Sequence, residues 1–414
     1  MNDTKTENKS FYMAGWGCPF CSRKDYEFAN EAGINHFLVV ENYSETGEFT
    51  AGKELEFAKA AGITSVMHVG NDYGNSTKGT MRKFDTDYNA YSDMIDRICY
   101  SDEPIYTNFS LLKEWAKKHD EKYGDTLAFY VNLLLIDMYP REMGDTEETQ
   151  TYENYVGKFC SEVLSEIKKG KRILSCDCYP ILTKEGKITV RKNWLRGLEV
   201  MMENAKTYGA RHEEYVQVVE HLDFPKSTEE SIRYQIYVLL NFETSGFTYF
   251  TYSSSLADYK NSCVNLDKSC SPNDEYYFVK TVNTEIRAFE NEYLHCSVDG
   301  VMPIYGTKNS LGEDSAMARI KRPARTLGGV ASITATEDTL VSGMTRTDGK
   351  KAILVTNFSN PYDGRIDSVE IKLDDDSNLT KYTLYRKGKR EECDAKEGKI
   401  WLDLEAGEGV FILL

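Results

Sequence analysis

The sequence predicts a (β/α)8 barrel over residues 1–297 followed by an antiparallel β-sandwich over residues 298–414. Two observations carry this expectation. Apolar strand-like runs alternate with amphipathic helical stretches from residue 10 to about 253, which is the mark of βαβ units and a parallel sheet. From about residue 298 the texture changes to short alternating strands separated by turn residues. Eight βα units in roughly 250 residues match the size of a closed barrel.

Taken in order, the strand candidates are residues 10–16, 36–40, 65–69, 98–101, 127–134, 173–178, 215–219 and 247–252. Six of the intervening helical segments stop at a glycine ahead of the next strand: Gly33, Gly62, Gly124, Gly170, Gly209 and Gly246. A glycine at a helix C-terminus can take the left-handed conformation without steric cost. After the fifth strand, Tyr152, Val156, Phe159, Val163 and Ile167 recur at spacings of three and four and define one buried face. Before the eighth strand, Ser227 and Glu230 have the spacing of a capping box, opening a helix that carries Ile232, Ile236, Leu239 and Leu240. Residues 72–89 form a longer, more polar βα loop, on the side where barrels build sites. Residues 274–292 read as a closing helix. The tail offers strands at 330–336, 339–345, 351–357, 368–373, 381–385, 399–404 and 409–413, with Asp348-Gly349 as a hairpin signal. An open doubly wound sheet is the structural alternative, but the first strand is not followed by the Gly-x-Gly-x-x-Gly of a dinucleotide site.

Composition narrows the function classes. With 50 Lys and Arg against 66 Asp and Glu, the formal net charge is -16. Such a field repels polyanions, so neither nucleic acid nor an anionic membrane is an expected partner. No apolar run is long enough for a membrane-spanning helix. The polar N-terminal residues hold no signal-peptide core, and ten scattered cysteines do not resemble a disulfide scaffold. The cytoplasm is the default expectation, and a secreted form with its leader removed is compatible with it. Self-association into a homo-oligomer is compatible too. The 28 Tyr residues suit sugar sites, although filling half-buried positions explains them equally.

In a barrel of this kind the site lies at the C-terminal ends of the strands. The polar and aromatic residues there are Trp16, Glu41, Asn71, Asp102, Glu103, Asn132, Asp177, Tyr179, Gln217, Glu220, Tyr249 and Tyr252. No His and carboxylate set has metal-ligand spacing, so neither a catalytic metal nor a cofactor is expected. Carboxylates with aromatics suit glycoside hydrolysis: one acid protonates the leaving oxygen, while a second carboxylate attacks the anomeric carbon or activates water. A carbohydrate is then the expected partner.

Asp102-Glu103-Pro104 at the end of the fourth strand resembles the Asn-Glu-Pro motif of clan A retaining glycoside hydrolases. Val131-Asn132-Leu133, residues 174–180, the Gln217 strand, residues 249–252 and residues 405–411 extend the resemblance to barrels related to β-galactosidases with a C-terminal β domain. The resemblance implies retention, a small glycoside such as a β-galactoside as substrate, and Glu103 as acid/base. It implies a strand-seven nucleophile, where the sequence offers Gln217 and, three residues on, Glu220; Asp177 on strand six is the rival second carboxylate. Asp102 departs from the family's Asn and could raise the Glu103 pKa. Trp16, Glu41, Asn71, Asp102, Asn132, Tyr179, Gln217, Tyr249 and Tyr252 would bind substrate. The alternative is a non-catalytic glycan-binding barrel that has lost its second carboxylate, an idea that Gln217 supports. Cys18 and Cys21 have redox spacing, but the barrel is far larger than a thioredoxin fold. His68 and His221 near strand ends can be sugar ligands or structural residues.

Overall fold

A computed structural model describes residues 10–17, 23–39, 51–69, 84, 88–145, 147, 151–254, 259–265, 271–374 and 379–414. The side chains of residues 38, 39, 51–54, 66, 68 and 69 fall outside that description, as do Glu41, Asn71, Cys18, Cys21 and most of the 72–89 loop.

Eight parallel strands close into a barrel: β1 (Tyr12–Gly15), β2 (His36–Val39), β3 (Ser65–Val69), β4 (Ile95–Asp102), β5 (Ala128–Leu133), β6 (Ile173–Cys176), β9 (Arg211–Gln217) and β10 (Thr244–Phe250). A hairpin, β7 (Ile181–Lys184) with β8 (Lys187–Val190), follows the sixth barrel strand. Glu185 and Gly186 at its tip both take positive φ, 51° and 75°. That hairpin is not apparent in the sequence, because Glu is an uncommon choice for such a turn. Two short strands, β11 (Ser253–Ser254) and β12 (Val264–Asn265), pair in parallel after the last barrel strand.

Helices α1 (Arg23–Glu31), α2 (Ala51–Ala60), α3 (Phe109–Tyr123), α4 (Tyr152–Glu162), α5 (Trp194–Tyr208) and α6 (Glu229–Asn241) alternate with the barrel strands, and α7 (Asp274–Arg287) and α8 (Glu290–Tyr293) follow them. Gly33, Gly62, Gly170 and Gly209 take the left-handed φ expected of helix stops. Gly124 instead keeps a helical φ of -58°, and Gly246 lies inside β10. The cap of α6 falls one residue later than its sequence suggests. Thr228 is the N-cap, its hydroxyl accepting from the Ser231 N–H while the Ser231 hydroxyl accepts from the Thr228 N–H.

The C-terminal region is a sandwich of two antiparallel sheets. One has six strands in the order β13 (Cys296–Ile304), β15 (Thr339–Arg346), β16 (Lys351–Asn357), β21 (Gly409–Leu413), β18 (Lys381–Arg386) and β19 (Lys389–Asp394). The other has three, β14 (Val330–Ala335), β17 (Asp367–Leu373) and β20 (Lys399–Leu404). Val341, Ile353, Val355, Val369, Ile371, Ile400 and Ile412 fill the space between them. Strands β13 and β19 are additions to the sequence expectation. In β19 (Lys-Arg-Glu-Glu-Cys-Asp) an almost uniformly polar, exposed edge strand leaves no apolar alternation to read.

Residue contacts divide the chain into two compact units. One comprises 13–227 and 246–280; the other comprises 1–12, 228–245 and 281–414, so α6 packs with the sandwich strands.

Candidate active site

Inside the barrel, alternate residues of each strand face the axis. Met67, Cys99, Ala128, Tyr130 and Ile173 form one buried layer, with Trp16 packed on it. Below it Arg97, fully buried, pairs with Glu213 at 2.5 Å and with Asp96 at 3.0 Å. Above it a polar chain begins. The Tyr130 hydroxyl lies 2.7 Å from Ser175 Oγ and donates to the Tyr215 hydroxyl at 3.2 Å. Ser175 Oγ donates to Asn132 Oδ1 at 3.3 Å, and Asn132 Nδ2 donates to Asp102 Oδ1 at 3.0 Å.

A backbone irregularity delivers Asp102 to this chain. Cys99 pairs with Tyr130, but Ser101 pairs with Val131 and Asp102 with Asn132, so the register shifts at Tyr100. Tyr100 turns outward and stacks on Phe129 at 4.4 Å. The extra residue puts Asp102, rather than Ser101, opposite the inward-facing Asn132. Re-aiming a side chain in this way is a common use of a bulge. Glu103 follows in a left-handed turn, φ 46°, its N–H donating to the Asn132 carbonyl at 2.8 Å. Both Asp102 and Glu103 are exposed.

Asp177 lies just past β6, in step with the inward Ile173 and Ser175. Its Oδ1 is buried with no hydrogen-bond partner. Burial, reinforced by the Glu103 and Asp102 charges, pushes its pKa well above the carboxylate range, against a hydrogen bond from Asn132. Glu103 is also raised, first by partial desolvation of its carboxyl among its neighbours, although the residue as a whole is exposed, and then by the Asp102 charge. Asp102 accepts from the Asn132 amide, the Asp102 and Glu103 charges both act on Asp177, and the shifts of Asp177 and Glu103 favour their protonated forms. Tyr179 is buried beside them, and burial and the same three carboxylates hold its hydroxyl protonated.

The sequence-chosen residues separate as follows. Asp102, Glu103, Asn132, Asp177 and Tyr179 come together. Trp16 is half-buried, edge-on to Tyr215 at 5.9 Å and tilted against Phe250 at 6.4 Å. Gln217 is buried at the end of β9, its Nε2 donating to the Pro225 carbonyl at 3.4 Å. Glu220, considered as the second carboxylate, accepts from Asn261 Nδ2 at 2.8 Å, and its charge acts on Glu275. Tyr249 and Tyr252 are fully buried, packed edge-on against Phe247 and Phe37 respectively. Neither ring offers a face to a ligand. Phe250, one residue along from Tyr249, meets Trp16 and Tyr179 instead. Phe250, Tyr130, Ser175 and Tyr215 were not singled out from the sequence. Strand parity is the signal for Phe250: residues 247 and 249 share one side of β10, and 250 takes the other. Among the described residues no group of three or more His, Cys, Asp or Glu has the geometry to hold a metal ion.

No protein-family model matches the sequence, and no curated protein is detectably similar to it. Solved structures do share its fold. A protein provisionally assigned as an α-galactosidase/melibiase from Bacteroides fragilis is 10% identical with a TM-score of 0.53, covering 98% of this chain and 79% of that one. The α-galactosidase of Saccharomyces cerevisiae is 6% identical with a TM-score of 0.52, covering 98% and 97%. A second Bacteroides fragilis protein, provisionally assigned as an α-galactosidase, is 9% identical with a TM-score of 0.51, covering 98% and 79%. The likeness at these identities is one of fold. The chain thus has the barrel and C-terminal β region expected from its sequence, on a fold shared with α-galactosidases.

Proposed function

We propose that the protein is a glycoside hydrolase whose chemistry is carried by carboxyl groups at the ends of β4 and β6. The observation that carries this reading is the buried, unpartnered Oδ1 of Asp177 beside Asp102 and Glu103. Asp177, its pKa raised by burial, is the acid and gives its proton to the glycosidic oxygen. Asp102 accepts from Asn132 Nδ2, which favours its charged form, and it attacks the anomeric carbon. In the second step Asp177, now ionised, takes a proton from water, which attacks the anomeric carbon and frees Asp102. Asp102 accepts from the Asn132 amide and its charge acts on Asp177, so the two carboxyl groups stand near one another. That supports retention, because retaining pairs stand about 5 to 5.5 Å apart and inverting pairs about 6.5 to 9.5 Å.

Glu103, the acid/base implied by the Asp-Glu-Pro resemblance, is the rival for the acid role, since its pKa is raised too. With both acids on β4 and β6, this mechanism needs no carboxylate at Gln217 on β9. Small galactosides are the first substrates to try, in both anomers. The test is hydrolysis of aryl α- and β-glycosides by wild type, Asp102→Asn, Asp177→Asn and Glu103→Gln. The expected result is cleavage of one sugar by wild type, with losses of about 10²- to 10⁴-fold for Asp177→Asn and at least as large for Asp102→Asn. A Glu103→Gln variant that loses activity while Asp177→Asn keeps it transfers the acid role to Glu103. A wild type inert to every glycoside, binding them without turnover, sinks the hydrolase reading.

A further inference from the structure

Beyond the carboxylates, the loop after β9 is built to present aromatic faces. His221 and Phe224 close a tight turn, with the Phe224 N–H donating to the His221 carbonyl at 2.8 Å and the reverse bond at 3.3 Å. Its tip residue Leu222 takes φ 50° and is 88% exposed. A bulky residue held in the left-handed region is strained and persists only where neighbours fix it. Here they do. Glu220 and Lys260 exchange backbone hydrogen bonds at 2.9 and 3.0 Å, and the Asp223 carbonyl accepts from the Thr183 N–H at 2.7 Å.

The rings this turn positions form a continuous strip. His221 stacks on Tyr259 with centroids 4.0 Å apart and planes 19° apart. Tyr259 stands edge-on to Phe250 at 5.7 Å, and Phe250 meets Tyr179 at 5.3 Å. Phe224 closes the strip, 5.2 Å from Tyr179 and 6.2 Å from His221. Of these rings only Tyr179 is buried, and it lies next to Asp177. The other four are half-buried, so each keeps surface that a ligand can cover.

We infer that this strip is the subsite for the leaving group, and that it takes a group with a flat apolar face: an aryl ring or the C–H face of a second sugar. The inference rests on the hydrolase reading above, since it is the carboxylates that place the scissile bond beside Tyr179. Aromatic faces favour stacked rings, and each such pairing adds to plain burial. An anionic leaving group is disfavoured by the charged Asp102 carboxylate next door.

The experiment is direct binding of uncleaved probes, 4-nitrophenyl and methyl 1-thioglycosides of the sugar that wild type cleaves, or of galactose and glucose in both anomers if it cleaves none. Wild type is compared with Phe224→Ala, Tyr259→Ala and Tyr259→Phe, each checked for an unchanged melting curve. The expected result is roughly tenfold weaker nitrophenyl binding in each alanine variant. Methyl thioglycoside binding stays unchanged, and Tyr259→Phe restores wild-type behaviour. Equal loss for both probes, or loss for neither, overturns the subsite, as does wild type binding the two probes equally well. Failure of the hydrolase reading has a different signature: the nitrophenyl preference persists while no glycoside is turned over.

Discussion

Asn132 donates to Asp102, and its amide also opposes the upward shift of Asp177. Replacing it with Leu removes the donor that favours ionised Asp102. Losing that donor weakens the stabilisation of the Asp102 carboxylate, which solvent only partly replaces. The expected outcome is a pH–rate profile whose acidic limb moves up in Asn132→Leu, measured on the best aryl glycoside. An unmoved limb removes Asp102 from the nucleophile role. Much of this site is legible in the sequence: Asp102, Glu103, Asn132, Asp177 and Tyr179 follow from listing polar residues at strand ends. Their pairing is not. The strand-four register shift at Tyr100 has no sequence signal, and without it Ser101 would be the residue opposite Asn132. Tyr249 and Tyr252 mislead because Tyr suits both a sugar face and a packed core; parity sets Tyr249 apart from Phe250, whereas Tyr252 shares the parity of Phe250 but lies past the end of β10, buried against Phe37.

Helix α6 illustrates what the elements depend on. Its Thr228–Ser231 capping pair satisfies N-terminal N–H groups, and Arg233 pairs within it with Glu229 and across to Glu285 at 2.8 Å. Thr228→Ala is expected to cost about 1 kcal/mol in urea unfolding, with little change in a Thr228→Asn variant. Gly407 precedes β21 with φ 68°, where a Cβ would overlap the Glu230 carbonyl. Gly407→Ala is therefore expected to destabilise more than loss of the cap, through strain and overlap together. Equal urea midpoints for the two variants would contradict that ordering. Most barrel strands are visible in the sequence as apolar runs bounded by turn residues, but β9 runs over Arg211–Gln217 where the apolar run points to 215–219, because its first half, Arg-His-Glu-Glu, is charged or polar. The β7–β8 hairpin and edge strand β19 are not visible: the hairpin strands are only four residues each, joined by Glu185-Gly186, and β19 is almost uniformly polar.

At the scale of the whole molecule, acidity is the dominant property, with a formal net charge of -16. Part of that charge is suppressed by folding. Glu275 is fully buried at the start of α7, and neither carboxyl oxygen has a hydrogen-bond partner. Burial is the main cause of a pKa of about 7, with Asp274 and Glu220 adding to it and Lys226 opposing. Asp177 is raised as well. A raised carboxyl binds its proton more tightly in the folded state than in the unfolded chain. The stability it contributes is complete below its ordinary value of 4.5 and is lost as pH rises through about 7. The melting temperature of wild type is thus expected to fall between pH 5 and 8 more steeply than that of Glu275→Gln, read by calorimetry in matched salt. Parallel curves would contradict it.

The central claim is that Asp177 is the acid of a two-carboxylate glycosidase, and leaving-group dependence tests it most directly. Wild type and Asp177→Asn are compared on aryl glycosides of one sugar whose phenols span a range of acidity. The expected outcome is that the variant loses about 10²- to 10⁴-fold on poor leaving groups and far less on good ones, which need no proton. A uniform loss across the series, or no loss at all, contradicts it.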